Sequence, residues 1–182
     1  MQKSMICVLV ISLISFGIFA GMASAHDPSE EADSAHTHQL PPPWPYHVIM
    51  VLAGAISLAG GAFTARYLKK RTRWIELHKK LALSGVVLVL AGIFVAAYMV
   101  SAYMETPFVR EMHAYLGASV FIFIIVTPML GIFQFRSKDM RIHTIHRWSG
   151  RITIMLILLT IIAGIQMVLT VLAYDVMSMP IK

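Results

Sequence analysis

At 182 residues, with 58% hydrophobic and 13% charged residues and a mean hydropathy of +0.73, the chain is too apolar for a soluble domain, in which roughly a quarter of residues are charged. Its lone cysteine, Cys7, excludes disulfides, thiolate metal centres and covalently attached c-type haem, leaving eight histidines as candidate ligands. A net charge of +6 could suggest nucleic acid, but the cations gather at the ends of apolar segments and no nucleic-acid motif is present.

The opening "MQKSMICVLVISLISFGIFAGMASAHD" has a basic start at Lys3, an apolar centre and the small-residue end Ala23-Ser24-Ala25. It reads as a cleavable signal peptide over residues 1–25; an uncleaved anchor would equally put residue 26 outside the cytoplasm. Residues 26–45, acidic and then proline-rich, read as an exported linker. Its His26, His36 and His38 read as part of a solvated tail. Four apolar spans follow at about 46–67, 77–103, 112–135 and 143–174, each long enough to cross a bilayer and therefore helical. Pro128 interrupts the third, where Thr127 is expected to cover the freed carbonyl. Residues 175–182 make a short exported tail. The fold class is thus an all-α membrane protein, a bundle of four transmembrane helices after the signal peptide.

Twelve of the fifteen Lys and Arg lie between spans one and two, between spans three and four, or in the helix turns beside those two segments. The positive-inside rule makes that face cytoplasmic, in agreement with the signal peptide. The expected location is the bacterial inner membrane, multi-pass, with anionic lipid headgroups against the basic face. Trp44, Trp74 and Trp148 mark the interfaces.

Each span carries one histidine near its N-terminal end: His47 and His113 at the outer side, His78 and His146 at the inner side. Glycines follow in matched frames. In spans one and two they are Gly54 and Gly61, and Gly85 and Gly92, at offsets of seven and fourteen from the histidine. In spans three and four they are Gly117 and Gly131, and Gly150 and Gly164, at offsets of four and eighteen. Only Gly60 of the nine glycines in the spans falls outside these frames. On a helix such offsets stay within roughly 40° of the histidine's face, so histidine and glycines share one stripe. Because the frames match between spans of opposite direction, they predict an inverted repeat about an axis in the membrane plane. Taken singly, a histidine at a helix end or a glycine in a membrane helix is unremarkable. Four in register are not. His143 lacks the frame and reads as a surface or supporting residue.

Two imidazoles facing each other across a bundle, with glycine beside them and no cysteine, suit haem b, whose iron takes one histidine on each axial side. Glycine would clear room for the macrocycle. A glycine fourteen or eighteen residues on lies about 21 or 27 Å along the axis, at the depth of the other cofactor. The expected pairs are His47 with His113 and His78 with His146, binding two haems b per chain.

At "HVIMVLAGAISLAGGAFTARYLKK", "WIELHKKLALSGVVLVLAGIF", "HAYLGASVFIFIIVTPMLGIFQF" and "IHRWSGRITIMLILLTIIAG" the chain resembles the cytochrome b561 family, in the form found beside DOMON domains. The resemblance covers about residues 46–170. It implies a four-helix core with two b haems on those histidine pairs, passing electrons across the membrane from donors such as ascorbate. Some members are dimers, so a homodimer is one expected assembly. The chain departs from typical animal and plant members in having four helices rather than six, and "AFTARYLKK" replaces their ascorbate-associated segment. Ascorbate, a quinol or a soluble redox protein therefore all stand as donors.

Arg66, Lys69, Lys79, Arg147 and Arg151 on the basic face are candidates to pair with haem propionates or to attract an anionic donor. The rival functions are a histidine-based metal or proton transporter, and a structural membrane anchor for an exported redox enzyme. A ferric-reductase arrangement would need two histidines thirteen or fourteen residues apart on one helix, and no span has them.

Overall fold

The computed structural model describes residues 40–103, 112–137 and 139–177. Among the described residues there are four helices: α1 Trp44–Tyr67, α2 Trp74–Tyr103, α3 Met112–Arg136 and α4 Met140–Met177. All four are long and apolar enough to cross a membrane, as in an integral multi-pass protein. The signal segment, the linker up to residue 39 and residues 178–182 lie outside the described residues.

Local chemistry sets the helix starts. The prolines before α1 form a turn in which the Trp44 N–H donates to the Pro41 carbonyl at 3.0 Å. Pro45 then falls in the first helical turn, where its missing N–H has no partner to lose. Helices α2 and α4 each begin three residues before the apolar run. In α2 the polar first turn is held by Glu76, which pairs with Arg73 at 3.1 Å and Lys80 at 2.8 Å. In α4 the Asp139 carboxylate accepts the Arg141 backbone N–H at 2.8 Å, an N-cap.

Helix α1 packs mainly on α2, and α3 mainly on α4. Sparser contacts between α2 and α3 and between α1 and α4 close the ring, so among the described residues α1 and α3, and α2 and α4, stand on its diagonals. The α1–α2 contact is unusually close. A Cβ on Gly54 would stand 2.6 Å from Val89 Cγ2 and 3.0 Å from the Gly85 oxygen; one on Gly85 would stand 2.6 Å from Leu58 Cγ and 3.0 Å from the Gly54 oxygen. The contact is reciprocal, as an inverted repeat requires, and only glycine permits it.

The core is a small apolar plug at mid-bundle. Val89, Val120, Ile124 and Ile157 are 1–3% exposed, and Leu58 packs against them. Leu58, Val89, Ile124 and Ile157 all lie eleven residues after their own helix's histidine. The same register from four helices therefore fills the space between the two ends. Outward faces carry exposed Ile56, Phe63, Phe94, Leu158 and Ile162, the apolar surface that lipid contact needs.

Pro128 lies within α3, and its missing N–H leaves the Ile124 carbonyl without its i+4 donor. The expectation that Thr127 covers that carbonyl gives way to an interhelical contact. The Thr127 hydroxyl lies 2.6 Å from Ser149 Oγ and 2.9 Å from Thr153 Oγ1, both on α4.

Candidate functional site

His47 on α1 and His113 on α3 meet across one diagonal, with ring centroids 6.1 Å apart and planes at 86°. Two imidazoles on opposite sides of one transition-metal ion, with bonds of about 2.0 Å each, have ring centres about 6 Å apart. The separation therefore fits two axial ligands, and the angle between planes is free because each ring can turn about its own bond to the metal.

One rule seats all four histidines. His47 Nδ1 lies 2.8 Å from the Gly92 oxygen, and His78 Nδ1 lies 2.8 Å from the Gly61 oxygen. His113 Nδ1 lies 2.9 Å from the Thr160 oxygen, and His146 Nδ1 lies 3.1 Å from the Thr127 oxygen. In each case the acceptor is the residue fourteen positions after the histidine of the helix adjacent in sequence. A carbonyl only accepts, so each Nδ1 carries the proton and donates it. That tautomer leaves the lone pair on Nε2, the atom that coordinates metal. A donated Nδ1–H is also what orients metal-bound histidines and raises their basicity.

The glycines divide by offset. Gly61 and Gly92 supply two of the acceptor carbonyls, where the helices run close: Cβ atoms there would be 3.3 Å from Ala82 N and 2.7 Å from Val51 Cγ2. Gly131 and Gly164 give the rings room, since Cβ atoms there would stand 3.1 Å from His146 Cε1 and 2.9 Å from His113 Cε1. Gly54 and Gly85 make the helix crossing described above. Gly117 has no neighbouring atom within 4 Å of such a Cβ, and Gly150 has only Thr127 Cγ2 at 3.8 Å. Of the eight, Gly117 alone lies beside open space, and Gly150 is in ordinary van der Waals contact with α3. The offset of fourteen or eighteen does reach the depth of the second histidine pair, but what stands there is the neighbouring helix's imidazole.

The basic candidates are all exposed at the His78/His146 end of the bundle. Lys79 Nζ lies 4.1 Å from the centroid of Phe135, bridging α2 to α3, and the Arg151 guanidinium lies 5.0 Å from that of Trp148. Arg66 donates to the Tyr67 hydroxyl at 3.2 Å. His143 is exposed, one turn before His146 on the same helix, and takes no such seat itself. A cleft of about 350 Å³ at the α1–α2 turn, lined by Arg71, Trp74, Leu77 and Lys80 among others, contains none of the histidines or glycines.

Sequence reading missed Thr127 and Thr160 as acceptors. The signal was present: residue fourteen is Gly, Gly, Thr and Thr in α1 to α4, and residue eighteen is Ala65, Ala96, Gly131 and Gly164, small in every case. Comparison with family models, with curated proteins and with solved structures finds no match for this chain.

Proposed function

We propose that this bundle carries two b-type haems and passes electrons across a membrane. The observation that carries the reading is the common seat of His47, His78, His113 and His146. Each gives its Nδ1 proton to a backbone carbonyl and keeps Nε2 for a metal. Such a seat has no purpose for a histidine that merely lies at the headgroup level. The 6.1 Å separation of His47 and His113 matches one shared ion, and the inverted repeat extends the same pairing to His78 and His146. Gly117 leaves space for a macrocycle. Haem held by these imidazoles would supply one-electron chemistry.

In this reading α1 and α3 hold one cofactor and α2 and α4 the other. The apolar plug of Val89, Ile124 and Ile157 keeps water from the path between them. Arg66, Lys69, Lys79, Arg147 and Arg151 make the His78/His146 end the cytoplasmic one, where they receive propionates or an anionic reductant. The likeness to the cytochrome b561 family points the same way, with ascorbate, a quinol or a soluble redox protein as donor.

The test is a reduced-minus-oxidised spectrum and haem assay on the full chain, expressed with ample haem and purified in detergent. Two low-spin b haems per chain are expected, and His113→Ala and His78→Ala should each lose one. A colourless protein ends the proposal.

A further inference from the structure

The inverted repeat makes the two ends alike in their seats, and two hydroxyls, Ser149 and Thr153, make them unlike. On α3 and α4 the positions three and seven residues after the histidine are Leu116 and Val120 in one helix, Ser149 and Thr153 in the other. Ser149 and Thr153 are 2% and 3% exposed, and both contact Thr127, whose carbonyl seats His146.

The proton order in this trio follows by elimination. Thr153 donates to the Ser149 carbonyl at 2.8 Å. Each hydroxyl has one proton, so the 2.9 Å contact between Thr127 and Thr153 must be donated by Thr127. The 2.6 Å contact between Ser149 and Thr127 must then be donated by Ser149. The chain runs Ser149 to Thr127 to Thr153 to the Ser149 carbonyl, one direction throughout. It ties the acceptor residue of His146 to the next turn of His146's own helix. At the other end Thr160 donates to Leu156 of its own helix at 2.8 Å, and Leu116 and Val120 offer no hydroxyl.

We infer that the Thr127–Ser149–Thr153 trio is a positioning cluster that lowers the reduction potential of the haem held by His78 and His146 from what an apolar surround would give. This rests on the dihaem reading above. Oxidised haem iron carries one more positive charge than reduced iron. Buried hydroxyls beside the seat of His146 favour the charged form, an effect that Leu116 and Val120 at the equivalent positions of the other end do not supply. The cations on the basic face act in the opposite sense, so the trio offsets part of their pull at that end.

The test uses the full-length, haem-loaded protein with Thr153→Val, which keeps shape but not the hydroxyl, and with Ser149→Ala as a second variant. Spectroscopic redox titration should resolve two midpoints. The one belonging to His78/His146 is identified in His113→Ala protein, which keeps only that haem. Either substitution should raise this midpoint and shift the inter-haem electron equilibrium about tenfold, ~59 mV for one electron, leaving the other midpoint in place. Thr170→Val, which removes an exposed hydroxyl bonded to the Gln166 carbonyl of its own helix, should move neither. Two haems with midpoints unmoved in both trio variants overturn this inference alone. A preparation without haem overturns the dihaem reading itself.

Discussion

Replacing Gly164 with alanine tests the histidine seat at its tightest point. The new methyl carbon would stand 2.9 Å from His113 Cε1 and 3.0 Å from His113 Nδ1, where ordinary contact begins near 3.4 Å. The ring must therefore shift by about half an ångström away from α4, the helix that also carries the Thr160 carbonyl. The hydrogen bond to that carbonyl is 2.9 Å now; a half-ångström shift takes it to the edge of useful geometry. The losses are about 0.5–1.5 kcal/mol for the bond and about 1–3 kcal/mol for overpacking, partly the same distortion. Supporting contacts to metal-bound histidines are worth roughly 10–100-fold in metal affinity. The expected result is therefore a protein that folds but loses the His47/His113 haem about 10–100-fold more readily in a competition assay with apomyoglobin, with the other haem retained. Gly131→Ala, at 3.1 Å from His146 Cε1, should do the same at the other end and more mildly. Unchanged retention of both haems in Gly164→Ala would refute the claim that this glycine exists to seat the imidazole.

Other substitutions separate the remaining roles. Gly54→Ala meets backbone atoms of α2 at 3.0 Å, which cannot rotate away, so it should destabilise the α1–α2 hairpin by about 1–3 kcal/mol, read as a lower melting temperature in detergent. An unaltered melt would show that the close crossing is not required. Gly117→Ala meets nothing within 4 Å, so haem-free protein should gain about 1 kcal/mol from helix propensity while haem uptake falls. Improved stability with full haem loading would remove macrocycle clearance as that glycine's function. Asp139→Ala deletes the cap on Arg141 N–H and should cost about 1 kcal/mol in unfolding free energy without altering the haem spectrum.

Hydropathy located every helix to within three residues, because long apolar runs have no other structure available in lipid. Its errors at Trp74 and Met140 have a common cause. Lipid begins where polarity ends, but a helix begins where its first N–H groups find partners, and Asp139 and Glu76 provide for the extra turns outside the apolar run. The histidine and glycine frames were legible as depths along an axis. Depth alone does not say which neighbour lies at that depth. The fourteenth residue was read as clearance for a distant cofactor, whereas the helix adjacent in sequence presents its own imidazole there. Gly54 and Gly85 escaped for a similar reason: a glycine on a histidine's stripe faces either the interior or the neighbouring helix, and only the crossing geometry decides. The hydroxyl trio was out of reach because Ser149 and Thr153 are ordinary residues until α3 brings Thr127 against them.

The seating rule also divides the labour of the fold. Every Nδ1 acceptor lies in the helix adjacent in sequence, so the α1–α2 hairpin contains the seats of His47 and His78, and the α3–α4 hairpin those of His113 and His146. Each hairpin can orient its own imidazoles before it meets the other. On the proposed reading, each metal is gripped by one histidine from each hairpin, along a diagonal where α1 and α3, or α2 and α4, make no backbone contact. The contacts between hairpins are the sparse ones. Coordination energy, which is folding energy wherever the ligands come from separate units, then falls on the interface that protein packing supports least. Two preorganised halves joined by their cofactors keep Nε2 aimed while the bundle is still open for a flat macrocycle to enter, and the tight Gly54–Gly85 crossing stays within a hairpin, where cofactor insertion does not have to part it.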